Sequence, residues 1–342
     1  MYCLLDAEGA VVERGSVETT VPALQALGRR LLLDGEILAG QEVGTMCHFV
    51  HDIFTAMGIR ILSFNAQQLR MIAASRKKTD KRDSYWIAKA LQTGMTPTPV
   101  HVPNAEVRRT RSLLAQRIAV AAERKRWWLR ARCHLRAAGV PVAKGATKIA
   151  RMLDGALAMP DGLPASVVDA LDLCARQQSQ LGVELSHIDE LLEHECKSID
   201  AIRRLMTIPA VGPRVAQTIY AAVGDVSRFS SARLLCAYAG LVPSVHQSGS
   251  TLRVGGITKA GSGPLRSVLV QAGHVLLWKC NSDEARPLRE LAARVQRVRV
   301  RRKIAVVAAA RHILRIAFYV LRDGTIYDPT RLRVPPPKEV AA

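Results

Sequence analysis

Eleven positions between Leu171 and Met206 most constrain how this chain can fold. Leu171, Gln178, Leu185, Leu192, Ile199 and Met206 recur every seven residues, and Cys174, Leu181, Ile188, Glu195 and Ile202 recur with them, offset by three. Nine of the eleven are apolar, so the spacing predicts one helix from about Ser166 to Met206 with a continuous buried seam. Two partners satisfy such a seam: an antiparallel hairpin with another long helix of the same chain, or the same helix of a second chain. Heptads alone do not choose between them, and Gln178 and Glu195 specify register in either case.

A second long helix is predicted from Asn104 to Ala138. It carries ten basic residues (Arg108, Arg109, Arg111, Arg117, Arg124, Lys125, Arg126, Arg130, Arg132 and Arg136) against Glu106 and Glu123. A merely solvated helix mixes signs for i,i+4 pairing, and one this lopsided repels itself unless a polyanion lies along it. Val107, Leu114, Ile118 and Leu129 supply its inner face. The whole chain has a formal charge of +20, which points to nucleic acid. Aromatics make up only 4% of the residues, which argues against a single-strand binder built on stacking platforms. Arg108, Arg111, Arg124, Lys125 and Arg126 are the helix's candidate nucleic-acid contacts.

Residues 1–100 alternate strand and helix signals. Tyr2–Leu5 and Val11–Val12 flank a hairpin-type turn, Val21–Leu33 is helical, and Glu36–Ala39 is a strand that delivers Gln41 and Glu42 at its end. Met46–Met57 is a helix closed by Gly58, Ile59–Phe64 is a strand, and Gln67–Ala74 is helical. This alternation predicts a mixed or parallel sheet with helices on its faces. Ligand groups gather at strand carboxyl ends in such sheets, where Glu42 falls. The stretch Arg76–Leu91 then sets Asp80 and Asp83 three residues apart at a helix start, inside a basic run. Spaced so, the two carboxylates share a helix face and suit one hard cation; they equally suit the capping of free amides.

Pro97, Pro99 and Pro103 mark a boundary, and 139–164, rich in Gly and Pro, reads as a connector with a short helix around Lys148–Leu153. The organisation expected is a catalytic domain over 1–100, long helices over 101–206, a C-terminal domain over 207–330 and a flexible tail over 331–342. Seven scattered cysteines without a Cys-x-x-Cys pair fit a reducing, cytoplasmic setting and give neither a disulfide framework nor a zinc site. The apolar run Ile304–Leu321 is interrupted by Arg311, His312 and Arg315, so it reads as a buried or half-buried helix and predicts no membrane partner.

Ile208–Ala216, containing Pro209, Gly212 and Pro213, resembles the turn of a helix-hairpin-helix, whose amides approach a DNA phosphate closely. Arg214 and Arg228 have the right charge for that use. Residues 236–274 read as a Ser- and Gly-rich loop carrying Arg253, Lys259 and Arg266, before a helix that starts near Pro264. Ser248, Ser250 and Ser262 are candidate nucleophiles there on physical grounds, although serines in Gly-rich loops are usually turn formers and no neighbouring His base is obvious apart from His246.

At Gly240-Leu241-Val242-Pro243, Ser248-Gly249, Ile257-Thr258-Lys259-Ala260-Gly261 and Leu265-Arg266 the sequence resembles the C-terminal domain of the bacterial insertion-sequence transposases with a DEDD motif, the bridge-RNA-guided recombinases. Glu42, Thr79-Asp80-Lys81-Arg82-Asp83, the basic helix, the heptad helix and the Pro209–Arg214 turn follow in that family's order, so the resemblance covers nearly the whole chain. It implies an α/β, ribonuclease-H-like (Holliday-junction-resolvase-type) N-terminal domain that holds Mg²⁺ (or Mn²⁺) on carboxylates, here Glu42, Asp80 and Asp83. It further implies long coiled-coil helices and a helical C-terminal domain whose serine, here Ser248, attacks DNA and leaves a phosphoserine intermediate. The partners implied are DNA (element ends and target), a structured guide RNA and further copies of the chain as a dimer or tetramer through the coiled coil, with domains of different protomers meeting at the active site. One departure is expected to matter. The family's opening strand, with its first Asp, precedes the hairpin that here starts at Tyr2, so either the true start lies upstream or this copy is inactive. The rival expectations are a nucleic-acid-binding remnant and a metal-dependent junction nuclease that uses no serine.

Overall fold

The structure is a computed structural model. It describes residues 1–33, 35–72, 80–142, 145–158, 163–248, 251–299 and 302–331. The chain forms two compact units, Met1–Val102 and Pro103–Ala342.

In the first unit, β1 (Tyr2–Leu5) and β2 (Val11–Gly15) pair antiparallel, with a bulge at Leu4/Leu5. Helix α1 (Val21–Leu32) follows, its start favoured by Pro22 in the first turn. Strand β3 (Leu38–Glu42), helix α2 (Cys47–Ala56) and strand β4 (Arg60–Phe64) form a parallel crossover, with Glu42 opposite Phe64. Gly58, at φ +82°, makes the turn into β4. Helices α3 (Ala66–Ile72) and α4 (Asp80–Thr93) complete the unit. Leu24, Leu27 and Leu31, one stripe of α1, pack with Phe54, Ile59 and Ile61 as its core.

The four strands do not form the single sheet expected from the alternation. Among the described residues each pairs with one neighbour only, giving two two-stranded sheets. Helix α4 spans both pairs in place of ladder hydrogen bonds. Its Gln92 donates to the Ala7 carbonyl in the β1–β2 turn at 2.9 Å, and its Ile87 and Leu91 press on β3 at Gly40. A Cβ at Gly40 would stand 2.7 Å from Ile87 Cγ2, so only glycine admits this approach.

The second unit begins with α5 (Ala105–Ala137), capped by Asn104, whose side chain accepts from Val107 N at 2.9 Å. Helix α6 (Ala146–Ala158) precedes α7 (Ala165–Ser198). The predicted heptad helix is shorter than expected, because Ile199 is extended (φ −91°, ψ 110°) and a separate helix α8 (Asp200–Met206) follows. Ser198 Oγ bonds the His194 carbonyl at 3.0 Å, drawing the last turn away from continuation.

The seam of α7 is filled by α5 of the same chain, antiparallel. Near one end Leu113 and Leu114 meet Ile188 and Leu192; near the other, Ala131 and Leu135 meet Leu171 and Cys174 with α6 against both. The two polar seam positions have dedicated partners on α5. Gln178 is bonded by Arg124 Nε at 3.1 Å and itself donates to the Arg124 carbonyl. Glu195, 2% exposed, accepts from Thr110 Oγ1 at 2.7 Å. Of the two partners the heptads allowed, α5 of the same chain covers this seam. Ile118 and Leu129, expected on the inner face of α5, are exposed; the face that meets α7 runs through Val107, Thr110, Leu114, Ala131 and Leu135.

Beyond the hairpin come α9 (Pro213–Val223), a 3-10 turn (Val226–Arg228), α10 (Ala232–Tyr238), the antiparallel strands β5 (Pro243–Ser248) and β6 (Thr251–Ile257), and helices α11 (Gly263–Trp278), α12 (Arg286–Arg299) and α13 (Arg302–Asp323). Helix α13 is long and apolar enough to cross a membrane by length and composition, but half of that window is buried in the protein. Ala305, Ala309, Ile313, Leu314 and Ala317 lie in it without exposure, as a core helix requires. The tail over 331–342 lies outside the described residues apart from Arg331.

Candidate active site

Asp80 and Asp83 both fall in the first turn of α4, Asp80 exposed and Asp83 half-buried. Glu42 is the last residue of β3 and half-buried. Strand alternation sets Glu42 on the face of Gly40, and Asp83 lies one turn from Ile87 on α4, so the carboxylates belong to the faces that meet at Gly40. They do not close into a ligand set. Among the described residues no group of three or more His, Cys, Asp or Glu could hold a metal ion, and Thr79 and the basic run 76–78 lie outside those residues. Carboxylates suit a hard cation chemically, but three of them do not fit one here as they stand.

The expected Ser- and Gly-rich loop is instead a hairpin. His246 pairs with Arg253, Gln247 with Leu252 and Ser248 with Thr251, while Val245 pairs with Val254. The residues alternate, and the many Ser and Gly masked that period. Ser248 is exposed at the end of β5. Ser262 is the N-cap of α11 and accepts from Leu265 N at 3.3 Å, which explains it without chemistry; Ser250 lies outside the described residues.

The base of this hairpin is fixed by backbone packing. Gly240 (φ +68°), Lys259 (φ 55°) and Gly261 (φ +81°) are left-handed. A Cβ on Gly240 would strike the Ala260 carbonyl oxygen, and one on Gly261 the Tyr238 carbonyl oxygen. Arg266 Nη1 donates to the carbonyls of Ala239 (3.2 Å) and Ala260 (3.3 Å). It straps the two segments together, so Arg266 is a brace and not the free nucleic-acid contact expected.

Several other predicted contacts are likewise engaged inside the protein. Arg214 pairs with Asp189, which Arg117 also holds through two bonds of 2.6 and 3.1 Å. The Arg117 bond, foremost, keeps the Asp189 carboxyl below the ordinary range, and burial lowers Arg214. Arg111 donates to the Ala221 and Ala222 carbonyls at the C-terminal end of α9, a favourable place for a cation; burial lowers it too. Arg228 also reaches Ala222 and stacks on Phe229 and Tyr238 at 4.5 and 4.7 Å. Arg124 holds Gln178, Arg108 is half-buried, and Arg126, though exposed, pairs with Glu123. Lys125, Arg253 and Lys259 stand exposed. Sequence reasoning missed Asp189 because it flanks the apolar seam, where periodicity carries no signal.

The turn expected to resemble a helix-hairpin-helix joins α8 to α9, with Ala210 left-handed (φ 65°) and Pro213 opening α9 after Gly212. A cleft of about 520 Å³ adjoins it, lined by residues including Ile208, Pro209, Val215 and Val275.

The first unit thus carries paired carboxylates on α/β elements, and the second an exposed serine on a hairpin with exposed Arg253. Comparison with known proteins carries this further. Residues 1–139 match the DEDD transposase family of IS110 and residues 202–289 the transposase family of IS116, IS110 and IS902. The chain is 28% identical over 278 residues to a putative transposase (y4pF/y4sB) of Sinorhizobium fredii, covering 78% of this chain and 70% of that one. It is 25% identical over 286 residues to the transposase for insertion sequence element IS1328 of Yersinia enterocolitica, covering 82% of each. A pilin gene-inverting protein of Moraxella bovis is 30% identical over 125 residues, 36% of this chain and 38% of that one. The chain belongs to the IS110/IS116 family of transposases.

Proposed function

We propose that this transposase cuts and rejoins DNA through Ser248, forming a phosphoserine–DNA intermediate during movement of its insertion sequence. The observation that carries this reading is the hairpin: an exposed serine on a strand whose base is locked by Gly240, Gly261 and Arg266. Its partner strand bears exposed Arg253, and Lys259 follows that strand. Cations of this kind bind a phosphodiester's oxygens. Attack by the serine breaks one phosphodiester bond and forms another of similar energy, so the joint is conserved for resealing.

Under the same reading the first unit is the family's ribonuclease-H-like domain, and Glu42, Asp80 and Asp83 supply its carboxylates toward Mg²⁺ or Mn²⁺. No step is routed through that cation, because the three do not close around one here. A structured guide RNA and a homo-oligomer as the working form follow from the family resemblance. The domain limits 1–100, 101–206 and 207–330 belong to the proposal.

The test is cleavage and strand exchange of a plasmid carrying the gene's own flanking DNA, with RNA transcribed from those flanks and Mg²⁺ or Mn²⁺. Covalent protein–DNA adducts are expected from the wild type and not from Ser248→Ala. Cleavage without any adduct would favour the junction nuclease. A second reading, a nucleic-acid-binding remnant, is favoured by the two separate two-stranded sheets and the unclosed carboxylates; it predicts salt-sensitive DNA binding with no cleavage under those conditions.

A further inference from the structure

The register of the hairpin puts more than the serine on one face. Side chains alternate along a strand, and directly paired residues share a face. Ser248 and His246 are two apart on β5, and His246 pairs with Arg253 on β6. Ser248, His246 and Arg253 therefore form one polar face. The opposite face carries Val245 and Val254, paired with each other and both exposed, at 59% and 63%. All three polar residues are exposed, so burial does not account for their type.

We propose that His246 is the proton acceptor for Ser248 and that Arg253 binds the phosphate under attack. Resting on the serine reading above, this adds the base and the anion contact of the same site. His246 and Ser248, two residues apart on one strand, stand about 7 Å apart, and Arg253, opposite the first and diagonal to the second, within about 8 Å at Cβ, all within reach of one phosphodiester for a long Arg and a ring. In the step, the Ser248 Oγ–H proton passes to a His246 ring nitrogen as Oγ bonds to phosphorus. The bond from phosphorus to a deoxyribose oxygen breaks, and that oxygen takes a proton from solvent. The imidazolium returns its proton to solvent before the next turnover. Arg253 holds the non-bridging oxygens through bonds from its guanidinium and needs no proton of its own.

The experiment measures the initial rate of covalent adduct formation with full-length protein, the flanking-DNA plasmid and its flanking transcript, from about pH 5 to pH 9. The wild-type rate should fall toward acid pH in an acid limb, because a protonated ring nitrogen cannot accept the serine proton. His246→Ala should lose roughly 10²-fold in rate and lose that limb, and added imidazole should restore part of the rate. Arg253→Gln should weaken DNA retention while keeping the limb. Both side chains are exposed, so folding is checked by the unchanged melting of each variant. His246→Ala with the wild-type rate and limb, while Ser248→Ala makes no adduct, overturns the proposal and leaves the serine reading intact. Adducts from Ser248→Ala, or none from the wild type, overturn the serine reading itself.

Discussion

Replacing Thr110 by Val tests whether a buried hydrogen bond fixes the register of the α5–α7 hairpin. Glu195 is 2% exposed and accepts from Thr110 Oγ1 at 2.7 Å; its other neighbour, Arg109, stands at 3.6 Å with most of its side chain in water. Val keeps the shape of Thr, so no cavity opens. What is lost is a hydrogen bond to a charged group, worth about 1.5–3 kcal/mol, and the more distant Arg109 offsets little of it. A loss of about 2 kcal/mol in the second unit corresponds to a fall of roughly 4–8 °C in its melting temperature. Thermal and urea unfolding of the full chain read this, with Glu195→Leu and the double variant completing a cycle. Once the carboxylate is gone, Thr110→Val should cost little, so a coupling of about 1–2 kcal/mol is expected. A Thr110→Val melting point unchanged within error, or an additive cycle, would refute the claim that this pair sets the register.

Four further outcomes follow from the same geometry. Asp189→Asn should destabilise the second unit by about 1–2 kcal/mol, between the values for exposed and buried pairs, because Arg117 and Arg214 then face each other without their shared carboxylate; urea unfolding checks it. Gly261→Ala should lower the melting temperature and abolish adduct formation together, since φ +81° and the Tyr238 carbonyl both exclude a Cβ. Neutralising Lys125 and Arg253 should each reduce the slope of log affinity against log salt for duplex DNA by about one, while Arg214→Ala should leave the slope and lower stability. His312 is pushed down to about 4, first by burial and then by Arg315 and Arg311. Its folded value lies below its unfolded one, so the unfolded chain binds more protons between the two. Stability should therefore fall as pH drops from about 6.5 toward 4, and His312→Gln should flatten that part of the profile.

The heptads of 166–206 made a long helix and its buried stripe legible, and Gln178 and Glu195 were legible as register marks. The partner was not, because an apolar seam carries the same period whichever helix covers it. Only the placement of Arg124 and Thr110 on α5 answers that. The early strands and helices were legible to within three residues, since β-branched runs and Gly58 mark them locally. Their assembly into two sheets was not, because the contacts of α4 that span both pairs come from far along the chain. Charge misled where it was counted without burial. Arg111, Arg214 and Arg266 raised the net charge as much as Lys125 did, yet each is held against carbonyls or a carboxylate.

Both sets of candidate chemical groups owe their position to glycine. In the first unit Gly40 lets Ile87 and Leu91 of α4 lie on β3, which brings the faces of Asp83 and Glu42 together. In the second, Gly240 and Gly261 let 238–240 and 259–261 touch backbone to backbone, and that contact aims the hairpin carrying Ser248. Side chains at these points would push the supporting elements apart by the width of a methyl group, and chemistry that depends on reach to a phosphodiester is sensitive to displacements of about 1 Å. The sequence motifs around Gly240 and Gly261 are thus explained by packing alone. The polar alternation of His246, Ser248 and Arg253 is not, since an exposed hairpin needs no such face to fold.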